Sequence, residues 1–177
     1  RIKTKEIPVT DRFIKANSLY DNTVAKLMAD STKPSLWCPS SIIETEMVIE
    51  RIIRNNVEKN QNTLIICPDI LSSYRMASVV RKKTNLSVAI LNSNLSKGEY
   101  YDTVMEIKNN SYRVVVTTTK GAFVDYPNLK TVILLDSEND NYYNDQSPRY
   151  NLKKIMMKYQ EIINCELIFH SYSPLLE

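Results

Sequence analysis

The sequence predicts an α/β fold, a three-layer αβα sandwich around a mainly parallel sheet, and two observations carry that prediction. Short runs of aliphatic residues recur along the chain, and between them lie longer stretches with helical spacing of apolar residues. The runs Thr63–Cys67, Val88–Leu91, Arg113–Thr117, Thr131–Leu135 and Glu166–Phe169 are continuously apolar rather than alternating, which suits strands covered on both faces. Ser35–Cys38 reads as a first strand with Trp37 in the core. Thr45–Asn56, Leu71–Lys83, Lys97–Asn109 and Tyr150–Ile163 have the length and periodicity of crossover helices, which join parallel strands with right-handed connections. One helix start is marked by Ser96-Lys97-Gly98-Glu99, a hydroxyl at the cap with a carboxylate three residues on. Of the Tyr100-Tyr101 pair, at least one ring should face the sheet.

Length and composition narrow the class. At 177 residues and 43% hydrophobic, the chain suits one soluble domain, residues 35–177, behind a partly helical lead-in over residues 1–34. No apolar run approaches the roughly 18 to 20 residues that span a bilayer, so a cytoplasmic setting is expected. Cys38, Cys67 and Cys165 form no C-x-x-C pair, and His170 is the single histidine, which argues against disulfide scaffolds and zinc sites; no metal ligand set is expected. Cys67 reads as a small buried hydrophobe and His170 as a polar residue at the sheet's edge. The net charge of +3 does not by itself call for a nucleic-acid partner. Glycine is scarce: the chain has 2, where average usage of about 7% predicts roughly a dozen. Backbone that wraps a phosphate needs glycine, so there is little material for a nucleotide cradle.

Ligands of open α/β sheets bind beyond the carboxyl ends of the strands. Here those ends carry Pro68-Asp69, Asn92-Ser93-Asn94, Thr117-Thr118-Thr119-Lys120, Asp136-Ser137-Glu138 and His170-Ser171. The aliphatic strand ending in Asp136 is the strongest clue, because in P-loop NTPases an acid at this place holds Mg²⁺ and, in helicases, an adjacent glutamate polarises water. In this chain the adjacent residue is Ser137. An aspartate after a buried strand can equally cap a turn.

Five segments, in order, resemble the bacterial primosomal replication-restart helicases, the PriA family of superfamily 2, over Ser35–Glu177. Ile65-Ile66-Cys67-Pro68-Asp69-Ile70 is similar to the family's V-x-V-P-E-I, and Leu91-Asn92-Ser93-Asn94-Leu95-Ser96-Lys97-Gly98-Glu99 to its L-H-S-x-L-S-x-x-E. Asp136–Asp140 stands where the family has D-E-E-H-D, Tyr143 with Pro148-Arg149-Tyr150 resembles the aromatic-rich loop that follows, and Ser171–Glu177 resembles S-A-T-P-S-L-E. The resemblance implies a RecA-like, P-loop-type first helicase lobe, with the second lobe outside this chain and a location in the cytoplasm at the nucleoid.

Departures from the family pattern fall on its engine. Where the family has the phosphate loop G-x-x-G-x-G-K-T-E, the chain reads Cys38-Pro39-Ser40-Ser41-Ile42-Ile43-Glu44-Thr45-Glu46. The glycines are gone, Glu44 stands in place of the lysine, and Ile42 and Ile43 are expected to obstruct the amide nest. Ser40, Ser41, Glu44, Thr45, Asp136, Ser137 and Glu138 therefore form a degenerate nucleotide site with no catalytic residue. No cofactor is expected, and Mg-ATP, with Mg²⁺ on Asp136, only if the site works in an unusual way. Losing several transition-state groups together leaves negligible hydrolysis.

The family's DNA-coupling loop keeps its character in Tyr142, Tyr143, Arg149 and Tyr150, joined by Lys120. Tyrosine faces stack on bases and arginine pairs with phosphate. Packing of that loop on the sheet is the alternative. Lys153, Lys154, Lys158 and the Arg81-Lys82-Lys83 run can reach phosphates, or can be solvated faces at helix ends. The preferred reading is a degenerate PriA-like lobe that acts as a scaffold for DNA, single-stranded or forked, and for a second helicase lobe and primosome proteins. The alternatives are an ATP-dependent 3′–5′ helicase with an atypical site, and an interaction module without DNA binding.

Overall fold

The structure, a computed structural model, describes residues 20–173. Expectations for residues 1–19 and 174–177, which include most of the lead-in and the end of the last motif, lie outside the described residues. Residues 20–27 are helical (α1). Then follow β1 (Ser35–Trp37), α2 (Ile42–Glu58), β2 (Asn62–Ile66), α3 (Ile70–Thr84), β3 (Val88–Leu91), α4 (Lys97–Lys108), β4 (Val114–Thr117), β5 (Leu129–Leu134), β6 (Tyr143–Asn144), β7 (Tyr150–Asn151), α5 (Leu152–Ile163) and β8 (Glu166–His170). The expected strands and helices are all present, with ends shifted by up to three residues. Among the described residues, the additions are two 3-10 turns, Thr119–Gly121 and Asp140–Tyr142, and the short antiparallel ribbon β6–β7, which takes Tyr150 and Asn151 from the helix expected to start there.

Six strands form one parallel sheet in the order β1-β8-β5-β2-β4-β3. Alternate residues of each strand feed opposite layers, which is why the strands read as continuous apolar runs. Ile65 and Cys67 pack with Val48, Ile49, Ile52 and Ile53 of α2 and with Ala77 and Val80 of α3, joined by Val24 and Leu27 of α1. Leu64 and Ile66 point the other way, to Ile107 of α4 and to Leu152 and Met156 of α5. The result is the three-layer αβα sandwich that the sequence predicts. Trp37 lies in the core as expected, at 4% exposure, and Cys67 is fully buried, with its thiol pushed up by desolvation. Tyr100 packs against the second layer while Tyr101 faces outward.

Caps fix the helix starts. Ser41, Asp69 and Asn151 each accept a first-turn amide at the starts of α2, α3 and α5, and Ser96 with Glu99 completes the capping box of α4. The glycine shortage has a structural counterpart: Asn60, Asn85, Asn110, Asn128, Asn164 and Asp136 all have positive φ, and no described glycine does. Asparagine and aspartate tolerate the left-handed region better than other residues with a Cβ, so they turn the corners that glycine usually turns. Gly121 is retained for a different reason. A Cβ there would collide with Thr117 Oγ1 and Leu91 Cβ, where the loop after β4 lies tight against β3.

Candidate functional site: a closed seat and an open cleft

The first turn of α2 is built as an anion seat, with free amides and the positive end of the helix dipole. Glu44 turns its carboxylate back beside that seat, onto the residue before the cap. Its Oε2 accepts the Ser40 amide at 2.9 Å and the Ser40 hydroxyl at 2.6 Å, while Ser41 Oγ accepts the Glu44 amide at 3.1 Å. This is a capping box displaced by one residue, with the acid reaching past the cap to the residue before it. Ile42 and Ile43 do not fill the loop, contrary to expectation: at 67% and 69% exposed they point outward from the first helical turn.

Thr45, the next residue, is buried and fully engaged. Its hydroxyl donates to the Ser41 carbonyl at 3.1 Å, so it is an acceptor for Tyr172 Oη at 2.8 Å and for His170 Nε2 at 3.2 Å. The other ring nitrogen, His170 Nδ1, accepts the Asp136 amide at 3.2 Å, which assigns the proton of the neutral ring to Nε2. Burial lowers the His170 pKa to about 4, in keeping with a neutral ring. His170 is not at the sheet's edge, as expected from sequence. It closes β8 between β1 and β5, with Trp37 edge-on at 5.2 Å on one side and Tyr172 edge-on at 4.7 Å on the other.

Asp136 follows β5 in a left-handed conformation, φ 47°, and its Oδ1 lies 3.6 Å from His170 Nδ1. Desolvation, then Glu138 and Asp69, raise its pKa. Ser137 is buried, its amide bonded to the His170 carbonyl at 2.8 Å, and Glu138 has one carboxylate oxygen buried. The structure joins Ser41 and Thr45 to Asp136 through His170, with Tyr172 on Thr45, and pairs Glu44 with Ser40 in the turn before α2; neither ring was placed there from the sequence. The signal was present: Tyr172 occupies the alanine position of the S-A-T-P motif, and a ring at a small-residue position fills space. Among the described residues, no group of three or more His, Cys, Asp or Glu side chains could hold a metal ion.

Across the sheet, the ends of β2, β3 and β4 frame an open cleft of about 540 Å³ lined by Pro68, Asp69, Leu71, Ser93, Thr118 and Asn141. The residues expected to meet DNA are split. Tyr142 is a core residue at 1% exposure, its hydroxyl donating to the Leu135 carbonyl at 2.6 Å and reaching the Ile66 carbonyl at 3.1 Å, so it cannot stack on a base. Its apolar ring and a nearby pair of carbonyls hold it inside. Tyr143 is 54% exposed on β6, and Tyr150 is half-buried on β7 in a neighbouring register position, on the opposite face of the ribbon. Arg149 is exposed and donates to the Asp145 carbonyl, and exposed Lys120 rests over the Tyr100 ring at 4.9 Å.

Comparison with known proteins agrees with this architecture. The helicase conserved C-terminal domain family matches residues 44–157. Replication restart protein PriA of Bacillus subtilis is 25% identical over 99% of this chain, and that of Synechocystis 29% identical over 76%. The chain spans only 21% and 16% of the length of these two relatives. Among solved structures, RecG bound to a three-way DNA junction superposes with a TM-score of 0.65 over 98% of this chain and 24% of that one, at 17% identity. Domain 2 of the DEAD-box helicase Mss116p, bound to an RNA duplex, gives 0.53 over 80% of this chain and 64% of that one, at 15% identity. At these identities the structural likeness establishes the fold. The matched family is the C-terminal helicase domain, whereas the ordered motifs resemble a first lobe. The matched stretch begins at Glu44 and ends at Met157, so it leaves out β1, the turn to Ile43 and β8.

Proposed function

The chain belongs to the helicase conserved C-terminal domain family, and from that premise we propose that it is a PriA-like lobe of a replication-restart protein, one that scaffolds DNA and partner proteins without turning over ATP. The observation that carries the proposal is the Glu44 carboxylate on the Ser40 amide and hydroxyl. A triphosphate arriving there would have to displace a bonded anion and then meet its charge at close range. Thr45 has no free position for a magnesium ion, because its hydroxyl already serves Ser41, His170 and Tyr172. Magnesium triphosphate does not fit these residues. Within a two-lobe helicase, the strand–turn–helix from β1 through Ser41 into α2, with Asp136 and β8 beside it, supports the first-lobe position. A second lobe and primosome proteins are the partners that this position implies.

The open cleft and the β6–β7 ribbon supply the DNA surface in this reading. Tyr143 offers an exposed ring, and Lys120 and Arg149 offer cations that can meet backbone phosphate. The test is paired. Titration calorimetry with Mg-ATP should show no micromolar binding, and forked or single-stranded DNA should bind with a steep salt dependence. Replacing Tyr143 by Ala should weaken DNA binding by roughly five- to a hundredfold, the worth of one stacked base. Micromolar Mg-ATP binding, or DNA-stimulated hydrolysis, would sink the scaffold reading; salt-insensitive or absent DNA binding would leave a protein-interaction module.

A further inference from the structure

Between α2 and α3 lies a cavity of about 460 Å³ whose floor is the ends of β5 and β8. We propose that this cavity binds a small organic cation with a flat apolar body, through the Asp136 carboxylate. The volume is in the range of sites for small molecules. Its walls are apolar, with Ile42 from the start of α2, Met76 and Val79 from α3, and Tyr172, 45% exposed, as an aromatic side on which a flat cation can rest.

Charge decides the class of ligand. Asp136 lines the cavity and, among the described residues, has no cationic partner: its neighbour His170 is neutral, because Nδ1 is already taken as an acceptor of the Asp136 amide. The wall also carries Glu46 and the exposed Arg75. Glu46 is paired with Lys83 at 3.3 Å, while Arg75 makes only a long-range charge interaction with Asp69. The raised pKa of Asp136, caused by burial and by Glu138 and Asp69, is the mark of a carboxylate without compensation. At Asp136 an anion is repelled, a neutral ring gains only apolar contact, and an amidine or guanidinium can pair with both carboxylate oxygens. The proposal rests on the reading that Asp136 holds no magnesium, and Mg²⁺ is therefore a control.

The chain carries its own reporters, since its single tryptophan and single histidine, Trp37 and His170, are in ring contact, with His170 in the cavity wall. Benzamidine is the probe, with benzamide and benzoate as neutral and anionic controls, read by Trp37 fluorescence and by the His170 ring proton resonances of the full chain. The expected result is a saturable shift of both signals, with a dissociation constant on the order of millimolar, the range open to so small a molecule. Benzamide and the Asp136→Asn variant should each bind about tenfold more weakly, the value of one charge-assisted pair. Asparagine accepts a left-handed backbone as aspartate does, so Asp136→Asn preserves the turn. Val79→Phe, which fills the cavity and leaves Asp136 in place, should abolish the shift. Equal binding of benzamide, an unchanged response in either variant, or no saturation by about 20 mM overturns the proposal. Displacement of benzamidine by micromolar Mg-ATP would instead overturn the scaffold reading, which separates the two failures.

Discussion

At the carboxyl ends of β1, β8 and β5 the chain's own side chains fill the ground, with Glu44 on the Ser40 amide and His170 and Tyr172 on Thr45. At the ends of β2, β4 and β3 the same edge stays open, a cleft lined by small polar residues and the capped start of α3. Both halves are made by the same strand–loop–helix units and share one sheet. The difference teaches that the fold needs only the strands and caps, while the chemistry at each loop depends on a few side chains. A loop can trade a phosphate for a carboxylate of the chain and still start its helix, because the helix terminus requires an acceptor and an anion, not a particular one.

The largest effect should come from the residue that fastens the halves together. Tyr142 is buried at the seam and bonds the carbonyls of Ile66 on β2 and Leu135 after β5. Tyr142→Ala is expected to cost about 3–5 kcal/mol of unfolding free energy in urea, as for other large aromatic deletions. Tyr142→Phe, which keeps the ring and loses the hydroxyl, should cost about 1 kcal/mol. A loss below about 1 kcal/mol for Tyr142→Ala would mean that the two ends are not coupled through this ring.

A somewhat smaller effect tests the closed half through pH. The His170 pKa is lowered by burial from 6.5 to about 4. Between those values the unfolded chain binds a proton that the folded chain refuses, so stability falls as pH drops from about 6.5 towards 4. The full span is worth roughly 3 kcal/mol. Asp136 acts with the opposite sign, since its raised pKa favours the folded state as acid is added, and it trims the loss at the acid end. Melting temperatures across this window should slope steeply in the parent chain and less in His170→Asn. Parallel slopes would show that His170 is not the buried neutral group that plugs the seat.

Much of this was legible in the sequence, and the rest failed for identifiable reasons. Continuous aliphatic runs gave the parallel sheet because each strand is covered twice, and Ser96 with Glu99 placed the start of α4 correctly. Glu44 in place of lysine marked the closed half, but its route, back onto the Ser40 amide rather than out towards a ligand, depends on a backbone turn that no residue type specifies. Tyr142 was misplaced for the opposite reason: an aromatic among polar residues looks exposed, and only the fold reveals the two carbonyls that draw it in. The scarcity of glycine drew attention to the turn before α2, yet part of its meaning is ordinary. Among the described residues, asparagine takes five left-handed corners, Asn60, Asn85, Asn110, Asn128 and Asn164.

The smallest expected effect is the most discriminating about what closes the seat. Glu44→Lys restores the charge that the family's loop carries, and if that charge alone had been lost, Mg-ATP binding should reappear. The structure argues otherwise. Thr45 would still be held by His170, Tyr172 and the Ser41 carbonyl, and Ser137 would still be buried with its amide on His170. No glycine would return to open the amides before α2. Hydrolysis should therefore stay at background, while stability falls by about 0.5–1 kcal/mol, because a cation in the first turn opposes the helix dipole and Ser40 loses its acceptor. Calorimetry and a phosphate-release assay on Glu44→Lys check both parts. Recovery of nucleotide binding by this one change would place the whole closure on a single carboxylate and make the rings of β8 incidental. Recovery only when His170→Gly and Tyr172→Ala are added would place it on the rings, and the two halves of the sheet edge would then differ by packing as much as by charge.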